Sequence, residues 1–294
     1  MGDFLKKYCE RHSIVLHKGE NLHIFLTLVL NWVLHFKLHL YKWLCGIHRP
    51  IVHYYAVCWN EEKMLPFMFD YYRQFVDHFT IYDNYSDDSS EAIINSNRRA
   101  KVIKFKSDGF NDTIHQQIKD NCWKRSRGKA DFVIVCDIDE FLYHPDMEAF
   151  LADSLKKHYS IFRTSGYDMY SQEYPKYERG VLLTDIVKNG VRAERYDKPI
   201  LFDPHRIVKI QYEVGAHKAY PKGVVRRRES QDELKLLHYK NLSLDYVLGR
   251  AAIYAERLSK VNKENHWGTH YLEKEARIRK EFCQNLAQSK PVIP

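Results

Sequence analysis

Asp131-Phe132-Val133-Ile134-Val135-Cys136-Asp137-Ile138-Asp139-Glu140-Phe141-Leu142 is the stretch on which the reading of this chain turns. A short, continuous apolar run ends in two carboxylates spaced i, i+2, with a third directly after them. An unbroken apolar and β-branched run predicts a strand buried on both faces, as in the middle of a parallel sheet. In extended backbone the side chains of i and i+2 point to one side, so Asp137 and Asp139 are expected to converge just past the strand's carboxyl end. Open α/β sheets place their ligands at that edge. Two hard oxygen ligands there suit Mg²⁺ or Mn²⁺, with a pyrophosphate completing the coordination shell. A bare Asp-x-Asp is often only a solvated turn; the buried strand before it and Glu140-Phe141-Leu142 after it favour a site.

Working back from this strand, Ile51 to Trp59 reads as a first strand and Leu65 to Phe79 has apolar residues at helical spacing. Thr80-Ile81-Tyr82 reads as a second strand running into the polar loop Asp83 to Ser89. A short helix, a strand from Lys101 to Phe105 and a helix from about Asp112 to Arg127 follow. Alternating β and α units of this length predict a doubly wound parallel sheet. The Asp83 loop and the Asp137/Asp139 loop then open on one edge, where Asp83 is placed to accept hydrogen bonds from a base or ribose. No Gly-x-Gly-x-x-Gly and no Gly-x-x-x-x-Gly-Lys-Ser/Thr is present, which argues against a dinucleotide fold of the usual kind and against P-loop hydrolases.

Beyond residue 147 the pattern becomes mixed. Met147 to Lys157 reads as a helix, Ser160 to Thr164 as a strand, and Ser165 to Pro175 as a loop dense in tyrosine that carries Asp168 and Glu173. Leu234 to Lys240 reads as a strand that returns His238 and Lys240 to the sheet edge. His238 is a candidate third metal ligand, against the alternative of a hydrogen-bonded structural histidine, and Lys240 is placed to neutralise a diphosphate. Leu244 to Val261 reads as a long amphipathic helix followed by a charged, helical tail.

The 294 residues suffice for one large α/β domain or two small ones, and 45% hydrophobic with 14% aromatic residues describes a packed protein. A net charge of +8 permits attraction to polyanions or to an anionic membrane. The basic residues are spread along the chain, with Arg226-Arg227-Arg228 the one tight cluster. No nucleic-acid motif accompanies it, so it reads as a binding loop or a solvated turn and no nucleic-acid partner is expected. Six cysteines without Cys-x-x-Cys spacing favour a reducing compartment. Two of the three Asn-x-Ser/Thr sequons (Asn84, Asn111 and Asn241) fall in the expected active site, where a glycan would block function. A cytoplasmic location is expected, extended to the cytoplasmic face of a membrane if the N-terminal segment binds one.

Residues 1–50 differ in character from 51–294 and are expected to form a separate amphipathic helical segment ahead of the main domain with its C-terminal helices. Ile24 to Phe36 is uncharged and mostly apolar but, at 13 residues, too short to span a bilayer. Thr27, Asn31, His35 and His39, with Lys42 close by, form a polar stripe on this helix. Trp32, Tyr41 and Trp43 are the aromatics favoured at membrane interfaces. Three readings of residues 22–45 stand: a helix packed on the domain, an interfacial membrane helix, or a transmembrane anchor.

The set Asn60-Glu61-Glu62…Leu65-Pro66, Asp83-Asn84-Tyr85-Ser86-Asp87-Asp88, Asp137-Ile138-Asp139-Glu140-Phe141-Leu142, Gly166-Tyr167-Asp168-Met169, Gly215-Ala216-His217 and Leu237-His238-Tyr239-Lys240 resembles glycosyltransferase family 2-like enzymes of the GT-A superfamily, in the Asp-x-Asp-Glu-Phe branch. The resemblance covers about residues 51 to 272. It implies a GT-A fold (nucleotide-diphospho-sugar transferase, Rossmann-like), with a mixed, mostly parallel sheet flanked by helices. It also implies transfer from a nucleoside-diphosphate sugar to a hydroxyl of a glycan, lipid-linked or protein-linked acceptor. On that resemblance Asn60, Asp83 and Gln116 contact the nucleotide, Asp137 and Asp139 engage Mn²⁺ or Mg²⁺ and the diphosphate, and His238 completes the metal site. Such enzymes mostly invert the anomeric centre, which calls for a general base; Asp168 and Glu173 are the candidates, with His217 behind them. The rival readings are a nucleotidyltransferase or other metal-dependent phosphoryl-transfer enzyme, and a non-catalytic glycan-binding protein that retains the fold.

Overall fold

The computed structural model describes residues 21–229 and 232–294. Its first layer is a seven-stranded sheet whose centre is parallel: β1 (Val52–Cys58) lies between β2 (His78–Asp83) and β4 (Phe132–Val135), with β3 (Ala100–Lys104) outside β2. Two-residue pieces at Leu201–Phe202, Ile161–Phe162 and Arg227–Arg228 extend it beyond β4, the first antiparallel. Helices α2 (Leu65–Tyr72), α3 (Ser90–Ser96) and α4 (Asp112–Asn121) make the crossovers. The unbroken apolar run of β4 is explained by its two-sided burial. Phe132 and Ile134 enter one core with Tyr54 and Ala56, while Val133 and Val135 enter a second with Tyr55 and Trp123.

A second, five-stranded sheet starts where β4 ends. β5 (Glu140–Tyr143) pairs antiparallel with β8 (Lys235–Asn241), β8 pairs parallel with β6 (Ser165–Tyr170), β7 (Asn189–Arg192) follows β6, and the two-residue piece Lys290–Pro291 edges β7. Helices α5 (Met147–Lys156), α6 (Leu244–Arg257) and α7 (Glu275–Gln288) complete the mixed α/β architecture.

Several boundaries differ from the sequence reading. Ser165–Tyr170, expected as loop, is an inner strand paired on both sides, its turn-forming composition overridden by ladder hydrogen bonds. Gly166 is required there because a Cβ would collide with Tyr196. The helix after β1 stops at Tyr72, and Phe79, spaced as if helical, belongs to β2. The expected helix to Arg127 ends at Asn121 and continues as a 3₁₀ turn, Cys122–Ser126. The helix expected to reach Val261 ends at Arg257, and Ser259 caps a separate helix, Lys260–Glu264. Arg228 of the basic cluster is structural, paired with Glu233 at 2.5 Å and Asp153 at 2.9 Å and stacked on Phe150.

The N-terminal helix α1 (Asn21–Leu44) runs 24 residues, longer than the 13-residue apolar run indicated. By length and composition Leu22–Leu44 suffices to cross a membrane, which corrects the expectation that it is too short. Of its polar stripe, Asn31 and Lys42 are buried against the protein, while His39 stays exposed. Lys42 Nζ is 2.7 Å from the buried Asp131 carboxylate, and Asn31 Nδ2 donates to the His205 carbonyl at 2.9 Å.

Candidate active site

Asp137-Ile138-Asp139 is the bend by which the chain leaves β4 of the first sheet and enters β5 of the second. This handover sits at the carboxyl edge of the parallel strands. A cavity of about 790 Å³ opens there, with Asp137, Asp139, His238 and Lys240 in its wall. The two carboxylates do not share one partner. Asp137 Oδ1 meets Lys119 Nζ at 2.7 Å, and Lys198 Nζ lies 3.9 Å from its other oxygen. Burial opposes the charge of Asp137, but Lys119 and Lys198 outweigh it and hold the carboxyl below its usual range, while 39% of the side chain stays open to the cavity. Asp139 turns the other way, its Oδ1 3.5 Å from His238 Nε2 and its Oδ2 3.9 Å from Arg250.

Strand register explains how His238 arrives. On β8 it stands opposite Glu140 of β5 on one side and Asp168 of β6 on the other. Its Nδ1 is 3.2 Å from Asp168 Oδ1, leaving Nε2 toward Asp139. Burial disfavours charge on the imidazole, but Asp139 and Asp168 more than offset it and raise its pKa. Asp168 also takes Arg195 Nη2 at 2.8 Å and has Lys240 Nζ at 3.7 Å. Burial works against its charge, yet His238, Lys240 and Arg195 together hold it at about 2. A carboxylate so engaged is a weak base, and it orients the imidazole instead.

Glu140, the third carboxylate of the motif, is fully buried against Lys198 at 2.5 Å, and both line the cavity. Across the cavity Glu61 holds Arg250 at 2.9 Å, burial pushing the Glu61 carboxyl up to about 7 against the pull of that guanidinium. Cations thus converge from four directions: Lys119 from α4, Arg195 and Lys198 from the segment before Leu201, Lys240 from β8 and Arg250 from α6. Each is already aligned by a carboxylate. A seam between Phe110 and Arg257, closed by the Phe110 N–H bond to the Arg257 carbonyl at 2.7 Å, brings the end of α6 to the rim. There Arg257 stacks on Trp59, and Tyr254 stacks on Tyr271 at 4.9 Å.

Not every expected residue reaches this cavity. Gln116 lines it, its amide donating to the Tyr212 carbonyl. Asp83 ends β2 as expected but is completely buried, bonded to Ser86 and to Lys104 at 2.5 Å, while its neighbour Asn84 is in the wall. Asn60 lies in an adjoining groove of about 300 Å³, its side chain joined to Asp87. Glu173 is exposed and absent from the lining. His217 lines the cavity. Its Nδ1 is 2.9 Å from the Arg195 carbonyl, and burial with the nearby Lys198 lowers its pKa, so the ring is neutral at pH 7.

Sequence reading assigned no role to Lys119, Arg195, Lys198, Arg250 or Glu61, although Glu61 stands in a quoted motif. Two of them carried a signal: Lys119 follows Asp112 and Gln116 on one helical face, and Arg250 lies between Tyr246 and Tyr254 at i±4.

Asp139 Oδ1 and His238 Nε2 face each other at a spacing that two ligands of one ion adopt, and Asp168 behind His238 supplies the supporting carboxylate such histidines use. Asp137 is drawn to Lys119 instead. Among the described residues no group of three or more His, Cys, Asp or Glu side chains is arranged to hold a metal ion. Asp139 and His238 alone offer two donors, and any further ligands of an ion there would have to come from a diphosphate and water.

The model of glycosyltransferase family 92 matches residues 53–287. No curated protein matches the chain. Among solved structures, S. aureus TarS 1-349 in complex with UDP is 11% identical, with a TM-score of 0.42 over 72% of this chain and 68% of that one. The same protein in complex with UDP-GlcNAc gives 11% identity and 0.39 over 72% and 69%. GalNAc-T7 with UDP, GalNAc and Mn²⁺ is 12% identical, with a TM-score of 0.30 over 42% and 24%. At such distances no residue's role passes from those proteins to this one.

Proposed function

Since the chain belongs to glycosyltransferase family 92, we propose that it moves a glycosyl group from a nucleoside-diphosphate sugar to an acceptor hydroxyl, with inversion, aided by Mn²⁺ or Mg²⁺. The matching family is not the family 2-like branch that the motifs resemble; the coarser assignment, a GT-A-like glycosyltransferase, is common to both. The observation that carries the proposal is the convergence of Asp139, His238 and five cations on one cavity at the carboxyl edge of the parallel sheet.

Cleaving the donor leaves negative charge on a diphosphate. Lys119, Lys240, Arg195 and Arg250 are positioned before the donor arrives, so their stabilisation of that charge requires little reorganisation. A divalent ion held by Asp139 and His238 would add Lewis-acid stabilisation of the same charge. Of the three base candidates, Glu173 lies outside the cavity and Asp168 is committed to His238 and Arg195. His217, neutral and in the wall, is the side chain we assign to accept the acceptor's proton. The nucleotide rests by Asn84, Gln116 and Trp59, and the acceptor is a hydroxyl of a glycan, lipid-linked or protein-linked chain. The same reading places the enzyme in the cytoplasm, with residues 22–45 touching a membrane surface.

Thermal unfolding with UDP-, GDP-, CMP- and dTDP-sugars, with and without Mn²⁺, tests this, because a ligand specific to the native state raises its stability by mass action. The expected result is a metal-dependent rise with one nucleotide class that disappears in Asp139→Asn. No rise with any donor, or an undiminished one in Asp139→Asn, would overturn the assignment.

A further inference from the structure

Helix α1 is built inside out. At 3.6 residues per turn, Asn31, Leu38 and Lys42 fall on one side and Leu26, Val29, Val33, Phe36 and Leu40 on the opposite one. The side bearing Asn31 and Lys42 is the buried one: the Asn31 amide donates to the His205 carbonyl, and Lys42 pairs with Asp131. The apolar side is turned outward, with Phe36 64% exposed and Val33 52%. Trp32 and Trp43, at 72% and 77%, and exposed Lys37 sit along this face. A water-facing helix has the reverse arrangement. Large aromatic and aliphatic side chains outward, with a lysine beside them, suit the headgroup–acyl boundary of a bilayer.

The attachment also fixes orientation. Asp131, which anchors Lys42, immediately precedes β4, and Asp137 follows its carboxyl end. Six residues of nearly extended chain separate the two by about 20 Å.

We propose that α1 seats this protein on an anionic lipid bilayer, lying in the plane of one leaflet without crossing it, with the catalytic cavity at the far end of the sheet. A spanning helix would have to leave the domain, exposing the buried Asp131 and stranding Asn31 and Lys42 in hydrocarbon; an in-plane helix keeps both contacts. The acceptor hydroxyl is then presented from the aqueous side, at the end of a chain long enough to clear the surface. This orientation rests on the site assigned above, whereas the membrane contact does not.

Flotation of the full chain with vesicles of phosphatidylcholine, alone or with 30% phosphatidylglycerol (an assay choice, about a third anionic lipid), tests the contact. Binding is expected to be stronger with the anionic lipid and to fall at least tenfold in Val33→Glu/Phe36→Glu, whose thermal unfolding stays unchanged because both side chains are exposed. Brominated lipids distinguish the geometries. In plane, Trp32 and Trp43 are both quenched by shallow bromines; in a spanning helix Trp32, near its middle, is quenched by deep ones. Absence of flotation, or a dimer abolished by the same substitutions without vesicle binding, would overturn the proposal, and deep quenching of Trp32 would overturn the in-plane geometry. A donor-induced thermal rise lost on vesicles would overturn the orientation. Failure of every donor to bind, with flotation intact, would count against the catalytic assignment alone.

Discussion

Lys198→Met is the substitution whose effect can be worked out most directly. Lys198 is 2% exposed and Glu140 1%, and their 2.5 Å ion pair lies directly behind the Asp137–Asp139 bend. Methionine keeps the length of the stem and its packing on the Tyr196 ring but removes the charge. Glu140 is then left buried with the Asp137 N–H at 3.2 Å as its remaining partner. Breaking one side of a buried pair costs about 3–5 kcal/mol, because the surviving charge has no water to return to. For a chain of this length the unfolding entropy converts about 0.6 kcal/mol into each degree, so Tm should fall by about 5–8 °C. Differential scanning calorimetry of wild type, Lys198→Met, Glu140→Gln and the double variant completes a cycle. The double variant should regain most of the loss, since it buries no unpaired charge. A Tm for Lys198→Met within about 1 °C of wild type, or a double variant no more stable than the single one, would refute the idea that this pair braces the Asp137–Asp139 bend.

Asp168→Asn should lower turnover by about 10–100-fold while leaving donor-induced stabilisation measurable, as expected for a group that orients a histidine; Glu173→Gln should leave both unchanged, and a large loss there would return Glu173 to the reaction. Mn²⁺ affinity, followed by calorimetric titration, should rise with pH toward the raised pKa of His238 and flatten above it, because the imidazole must lose its proton to bind the ion; affinity independent of pH would remove His238 from the metal set. Acid should weaken the fold. His35, His53 and His115 are held neutral by burial with pKa values lowered to about 4, so the unfolded chain takes up protons first as pH falls from 6.5 toward 4. Each then costs up to about 2 kcal/mol at pH 5, and a Tm unchanged between pH 7 and pH 5 would show that they are charged in the native state. Gly109→Ala should lower Tm and expression, since Gly109 has φ +88° and a Cβ there would strike the Arg257 carbonyl at the seam that positions α6; a wild-type Tm would show the seam to be plastic.

The parallel half of the fold was legible because its signals are local. Each strand and helix between Val52 and Val135 announces itself within its own residues. The second sheet was not, because β6 is held by partners far along the chain and its Gly, Asp and Ser content reads as a turn. The same distinction divides the site. Asp137, Asp139, His238 and Lys240, all in the cavity wall, were singled out because the sequence reading put them at or just past the carboxyl ends of strands, where position alone implies convergence. Lys119 and Arg250 sit on helices, where a basic residue ordinarily faces water, and only the packing of those helices turns them inward. Asp168 was recognised by type, but a sequence names a carboxylate without its partners. On our assignment Arg195, Lys240 and His238 around it make it a support instead of a base. For α1 the polar stripe was seen correctly, yet which side faces the protein is a tertiary fact.

The handover of the chain between its two sheets has a consequence for timing. His238 reaches Asp168 across 70 residues of sequence and meets Asp139 through the same strand, β8, laid between β5 and β6. Parallel pairing that closes so long a loop is among the slower events of folding. The parallel strands β1 to β4 and their crossover helices can form while the reactive centre is still in pieces. Recovery of activity after refolding should therefore trail recovery of helical signal, and a nascent chain stays catalytically silent until β8 and the following helix α6 have left the ribosome.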